Sequence, residues 1–273
     1  MKKKVSESPL ANALIGVVGS KGGVGATTVC VNLATSLAQN LAPDGGFTTL
    51  VDANFHQPDA ALQLSCQPKH TISEILARAH SLEPQVIEAC KNAVGANSGL
   101  HLITPAIDGS AGTTYNLSDL VSCLPSLKAS SSTTVVDLPR HLDRSLVSLF
   151  DQCDIILLVV EPNISSIAAT TRWLAAFRDL EYASEKILLV ANRMGSKARL
   201  LEQQLLSTFS RNSIAILPNA FRAMETAQID GLPVLSLLPK DAYSKAMREL
   251  TDKAILNLVF LRQQRATLLQ EEE

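Results

Sequence analysis

The sequence predicts an α/β fold, a mainly parallel sheet with helices on both faces. Three observations carry this. Short apolar runs recur along the chain and alternate with stretches of helical spacing, the pattern of crossover units. The first run opens into a glycine-rich turn followed at once by a helix pattern. Hydrophobic residues make up 46% of the chain but aromatics only 4%, so the apolar mass is Leu, Val, Ile and Ala. That suits strands buried on both faces better than a β-sandwich.

The strand pattern falls at 14–18, 48–51, 100–104, 133–136, 155–160, 187–191 and 214–217. Most of these runs end in Asp, Asn or Pro, and the carboxyl tips of such strands are where ligands bind in open α/β sheets. After the first glycine turn, Val31, Ala34, Leu37, Ala38 and Leu41 fall on one helical face. Further helices are expected at 72–79, 84–92, 117–127, 165–180 and 197–209. A last helix at about 241–269 carries the stripe Met247, Leu250, Ala254, Leu258 and Leu261, suited to packing on the core or a partner. Residues 1–12 read as a flexible polar tail and 13–273 as one domain.

Composition excludes several classes. Net charge is −2, so the chain as a whole is no obvious nucleic-acid binder. The five cysteines (Cys30, Cys66, Cys90, Cys123 and Cys153) are odd in number and form no CxxC pair. Buried free thiols are expected rather than disulfides or zinc. No apolar run reaches membrane-spanning length, and no signal-peptide core precedes the first strand. A cytoplasmic location is expected.

The glycine turn is Gly19-Ser20-Lys21-Gly22-Gly23-Val24-Gly25-Ala26-Thr27-Thr28. Glycines let successive backbone N–H groups converge on phosphate oxygens, and the following helix adds its positive end. Two carboxylates stand at later strand tips: Asp52 in Leu50-Val51-Asp52-Ala53-Asn54, and Asp137 in Val135-Val136-Asp137-Leu138-Pro139. Two further tips are Ala191-Asn192-Arg193 and Leu217-Pro218-Asn219, and an amide such as that of Asn192 can both donate and accept hydrogen bonds. Arg193 and Asn219 read equally well as solvated loop residues or as contacts.

With these residues in view, the chain from about 14 to 254 resembles the ParA/MinD superfamily of the P-loop NTPase fold. Its glycine turn is similar to the deviant Walker A motif KGGxGK[ST]T. The resemblance implies ATP and Mg²⁺ as ligands and a nucleotide-sandwiched homodimer, with Lys21 reaching the partner's phosphates. It gives Thr27, Asp52 and Asp137 to the metal. Gly22, Gly23, Val24, Gly25, Ala26, Thr27 and Thr28 go to the phosphates, and Asn192, Arg193, Pro218 and Asn219 to the base and ribose. Two departures touch the chemistry. Ala26 stands where the general P-loop lysine belongs, which should cost about 1.5–3 kcal/mol of binding. Asn54 stands where the family carries a second carboxylate that positions the attacking water, and losing such a group costs about 10²–10⁴ in rate. A site that binds ATP and hydrolyses it weakly or not at all is expected.

Within the superfamily the chain is most similar to the CpaE/TadZ group of Flp-type (tight-adherence) pilus assembly. Three features carry this: KGGVGATT, VVDLPRHLD, and the spacing to LPNAFRAMETAQIDGLPV. The resemblance implies a dimeric localisation or assembly factor, partnered by pilus or secretion proteins. Recruitment would be to a pole or the inner membrane, with peripheral membrane contact through those partners. Many members carry a receiver-like domain in front, and here only a short tail is expected. Three other readings stand beside this one. VDANFHQP resembles the Walker A′ segment of bacterial tyrosine kinases, but Tyr115, Tyr182 and Tyr243 are scattered rather than clustered at the C-terminus. A partition ATPase would need a basic face, for which Arg172, Arg178, Arg193, Lys197 and Arg199 are the candidates; DNA is not the expected partner. A MinD-like membrane-positioning helix would have to overcome the repulsion of Glu271–Glu273 from anionic lipid.

Overall fold

The computed structural model describes residues 10–55, 57–95, 98–106, 115–195, 199–209 and 214–271. Its strands are β1 (Ala13–Gly19), β2 (Thr48–Asp52), β3 (Asn92–Ala93), β4 (Leu100–Ile103), β5 (Thr133–Asp137), β6 (Ile155–Val160), β7 (Ile187–Met194) and β8 (Ile214–Pro218). They form one sheet in the order β3-β4-β2-β5-β1-β6-β7-β8. Every pairing is parallel except β3 with β4.

The central strands are buried along their whole length. Because side chains alternate across a strand, one sequence feeds two cores. Ala13, Ile15 and Val17 of β1, with Ile155, Leu157 and Val159 of β6, face one layer. Leu14 and Val18, with Ile156, Leu158 and Val160, face the other. The first layer holds α1 (Ala26–Leu41) and α11 (Ala242–Glu271), with the short α2 (Ala60–Gln63), α9 (Phe221–Asp230) and α10 (Val234–Leu237) beside them. The second holds α3 (Ile72–Leu76), α4 (Pro84–Cys90), α5 (Leu117–Ala129), α6 (Arg144–Gln152), α7 (Ile164–Asp179) and α8 (Arg199–Thr208). The stripe Met247, Leu250, Ala254, Leu258 and Leu261 of α11 is buried against the first core. Leu256 and Phe260, on its outer side, are exposed. No helix among the described residues is long and apolar enough to cross a membrane.

The elements differ from the sequence expectation in several places, and the helices α2, α9 and α10 are absent from it. β3 has two residues and no periodicity to read. The helix α6 spans nine residues, and its three buried apolar positions, Leu146, Leu149 and Phe150, make too short a stripe to stand out. The expected helix at 84–92 stops at Cys90, because Asn92 pairs into β3. The polar tail, expected through residue 12, gives way to packed chain at Leu10: this apolar side chain is buried, its carbonyl accepts the Thr133 hydroxyl at 2.9 Å, and the Ala11 carbonyl accepts from Arg262. Lys197 and His56 lie outside the described residues. All five cysteines are free; four are buried, and Cys66 is partly exposed.

Leu33, in the middle of α1, is fully buried in the first core. Leu33→Ala is expected to lower the unfolding free energy by about 2–5 kcal/mol in denaturant titrations. Ile229→Ala, at a position 79% exposed, should stay within about 0.5 kcal/mol of the parent.

Candidate nucleotide-binding site

All the parallel strands end on one edge of the sheet, and their tips assemble the site. The turn after β1 has Gly23 at φ 80° and Gly25 at φ 86°, left-handed values that favour glycine. Two of its glycines lie close against neighbouring side chains. A Cβ on Gly25 would lie 2.7 Å from Asn192 Nδ2, and one on Gly22 would lie 2.7 Å from Arg140 Nη1. The turn is anchored at its front. The Ser20 amide donates to the Val159 carbonyl at 2.8 Å, Trp173 Nε1 donates to the Ser20 carbonyl, and the Ser20 and Ser166 hydroxyls bond. Val24 is buried in the core, so that residue can offer a ligand only its backbone.

The helix α1 begins at this turn without a side-chain cap and without an acidic residue in its first turn. By contrast α5, α6 and α7 are capped by Asn116, Asp143 and Asn163. The first amides of α1 therefore lack an internal acceptor and point into the site. Ala26 packs its methyl against the first core and brings no charge to them.

Beside the turn sit the two strand-tip carboxylates, paired across β2 and β5. The Thr27 hydroxyl donates to Asp137 Oδ2 at 2.7 Å. Asp52 accepts the amides of Asn54 at 3.0 Å and Ala60 at 3.2 Å. Burial pushes Asp52 up to about 7, against the pull of those two amides. Burial, reinforced by the nearby Asp52 charge, pushes Asp137 up to about 8. Among the described residues no cluster of three His, Cys, Asp or Glu forms a self-sufficient metal cage. Two carboxylates and a hydroxyl beside a phosphate-type loop are instead the hard, incomplete oxygen set that Mg²⁺ uses when phosphates and water complete its shell. The glycine cradle and this donor set fit a magnesium nucleotide.

The Asn54 side chain is bonded within its own loop: its Nδ2 donates to the Gln57 carbonyl at 3.0 Å. Lys21 folds back onto its own chain, donating to Ser165 Oγ at 3.1 Å with Glu161 3.6 Å away. Glu161 also holds Arg193 at 3.0 Å.

A cavity of about 550 Å³ opens beyond Gly25 and Thr28. Asn192, Arg193, Pro218 and Asn219 line it together. An irregularity in β7 between Ala191 and Met194 aims the first two, with Arg193 at φ 58°. Asn192 Nδ2 donates to the Val24 carbonyl, which leaves its Oδ1 as the atom able to accept from a ligand. The sequence reading missed Phe221, Met224, Gln228 and Tyr243 in this wall. Tyr243 is fully buried, and its hydroxyl has no partner among the described residues. Nothing in a helical stripe distinguishes such a tyrosine from core. Glu161 was legible in principle, since it follows an apolar strand as Asp52 and Asp137 end theirs.

Solved structures share this arrangement of elements. A ParA-family ATPase from Chlorobium tepidum superposes with a TM-score of 0.77 at 20% identity, covering 88% of this chain and 99% of its own. The MinD protein of Pyrococcus horikoshii, complexed with Mg-ADP, gives 0.73 at 21% identity, covering 88% and 95%. The fold is that of the ParA/MinD P-loop ATPases. By sequence, the septum site-determining protein MinD of Thermotoga maritima is 24% identical over 232 residues, 82% of this chain and 81% of its own. The antiactivator FleN of Pseudomonas aeruginosa is 30% identical over 173 residues, 61% and 56%. No family model matches the chain.

A carboxyl whose folded pKa lies above its unfolded value contributes stability that is whole below the unfolded value and is lost as pH rises through the folded one. For Asp137 that window runs from 3.8 to about 8. Metal-free protein should therefore lose stability across it. Asp137→Asn should gain on the parent by about 1 kcal/mol or more between pH 5 and pH 8.5 in thermal or denaturant melts. A difference that stays flat with pH would contradict the burial of an uncompensated charge.

Proposed function

We propose that this chain binds a magnesium nucleotide with little or no turnover, and in that state forms a dimer that docks other proteins. One combination supports the reading most. An uncapped glycine cradle and the Thr27–Asp137 pair are intact, while the two positions that would drive hydrolysis hold an alanine and an amide already bonded to its own loop. The amides of residues 22–28 would take the phosphates, with Thr27, Asp52 and Asp137 toward the metal. Asn192, Arg193, Pro218 and Asn219 would take the base and ribose. Mg²⁺, when bound, supplies neutralisation of phosphate charge; every other contribution is the chain's own. Its cavity walls seat the base, its loop amides fix the phosphates, and Lys21 is the group that would change partner, from Glu161 in its own chain to a phosphate held by a second copy.

The docking role follows from charge and chemistry together. Phosphate-backbone binding needs several clustered cations, and the chain is slightly acidic, with Arg193 already paired to Glu161. A motor must hydrolyse repeatedly to reset, whereas a site that holds its ligand suits a long-lived assembly state. The CpaE/TadZ resemblance refines this to a localisation or assembly factor of Flp-type pilus machinery, recruited to a pole or the inner membrane by its partners.

Calorimetry on the purified chain is expected to give Mg²⁺-dependent ATP binding at roughly micromolar to high-micromolar strength, one or two decades weaker than with the lysine present. Lys21→Ala combined with Thr27→Ala should remove it; unchanged affinity in that variant sinks the site assignment. Turnover should sit near background and rise by about 10² or more in Ala26→Lys with Asn54→Asp. Parent turnover already equal to that of the restored variant would refute the degenerate-site reading. In sedimentation, ATP should drive dimerisation that Lys21→Ala abolishes, with no DNA shift at moderate salt. Tight, salt-sensitive DNA binding that appears only with ATP would favour the partition alternative instead.

A further inference from the structure

Arg140 lies three residues beyond Asp137, on the loop that leaves β5. A Cβ placed on Gly22 would fall 2.7 Å from its Nη1 and 3.1 Å from its Cζ, so the guanidinium rests directly on the front of the phosphate-type turn. Its loop is held at both ends. The Leu138 amide donates to the Val17 carbonyl at 2.8 Å, and Asp143 caps α6 through the Leu146 amide at 2.8 Å.

The two other cations at the turn are engaged, since Lys21 and Arg193 share Glu161. Arg140 forms no ion pair among the described residues. It borders an open hollow of about 240 Å³ with Ser20, Arg172 and Trp173, where a second arginine reinforces the positive charge. The site also has a direction. The base-sized cavity meets the turn at Gly25 and Thr28, in its late half, whereas Arg140 covers Gly22, in its early half. A nucleotide seated base-first in the cavity extends its outermost phosphate toward Arg140. Ala26 leaves that end without the cation a P-loop lysine would bring.

We propose that Arg140 supplies the phosphate-binding charge that position 26 lacks, and that its guanidinium reads the terminal phosphate and so separates nucleoside triphosphate from diphosphate. The inference rests on the nucleotide-binding reading above. Guanidinium is suited to this task because its planar fork can engage two phosphate oxygens at once.

The test is calorimetry on the full chain with Mg²⁺, using a non-hydrolysable ATP analogue and ADP in parallel. Arg140→Ala is expected to weaken the analogue by about ten- to a hundredfold and ADP by less than about threefold. Adding Ala26→Lys to that variant should restore the analogue's affinity. Melting without nucleotide reports whether the variants fold, and Arg140→Gln, which keeps a polar stem and removes the charge, carries the test if the alanine variant does not. An unchanged ratio of the two affinities, or an equal loss for both nucleotides, overturns the assignment of Arg140 alone. A parent chain that binds neither nucleotide overturns the nucleotide reading and this inference with it.

Discussion

Burial of the central strands on both faces is the constraint from which the rest of the molecule follows. A strand such as β6, with six consecutive buried apolar side chains, has no room for a polar group along its length. Polar chemistry is pushed to the strand ends, and parallel pairing brings those ends to one edge. Asp52, Asp137, Glu161, Asn192 and Asn219 stand at or just beyond five different tips for this reason. Their convergence on the glycine turn is a property of the sheet before it is a property of any one residue.

That arrangement has an electrostatic cost which marks the site. Two buried carboxylates lie side by side, and burial raises both well above the ordinary range. Asp52 is partly compensated by two backbone amides and Asp137 by a single threonine hydroxyl. A structure optimised for stability alone would place apolar or neutral groups there. The pair makes sense beside an uncapped helix end and a glycine cradle, where a cation and phosphates together would balance the charge. The cations at the site are divided in the same manner. Lys21 is paired with Glu161, and among the described residues Arg140 has no carboxylate to hold it.

How the site departs from a hydrolytic one is also physical. Asn54 is isosteric with a carboxylate but carries an NH₂ group, and that group bonds the Gln57 carbonyl, which an aspartate could not do. Ala26 fills its position with a methyl packed on the first core rather than with a charge aimed at the cradle. Both side chains support the loop locally, and on the proposed reading neither would act on a phosphate. On that reading, the chain would retain what holds a ligand and lack what would turn it over.

Much of this was legible in the sequence. The alternation of apolar runs and helical stretches determined the sheet and its two helical layers, because strands buried on both faces must be apolar throughout. The glycine turn, Thr27, the two strand-tip aspartates and the tips at Asn192 and Asn219 could be read because each is defined by its place next to an apolar run. Only the tertiary structure decided which distant groups meet there. Glu161 claims both Lys21 and Arg193, Arg140 lies on Gly22, and Tyr243 brings an unpartnered hydroxyl from the last long helix into the cavity wall. These residues come from β6, the β5 loop and α11, up to about two hundred positions from the turn. No local periodicity encodes such meetings, because they depend on the strand order and on the layer in which each helix is packed.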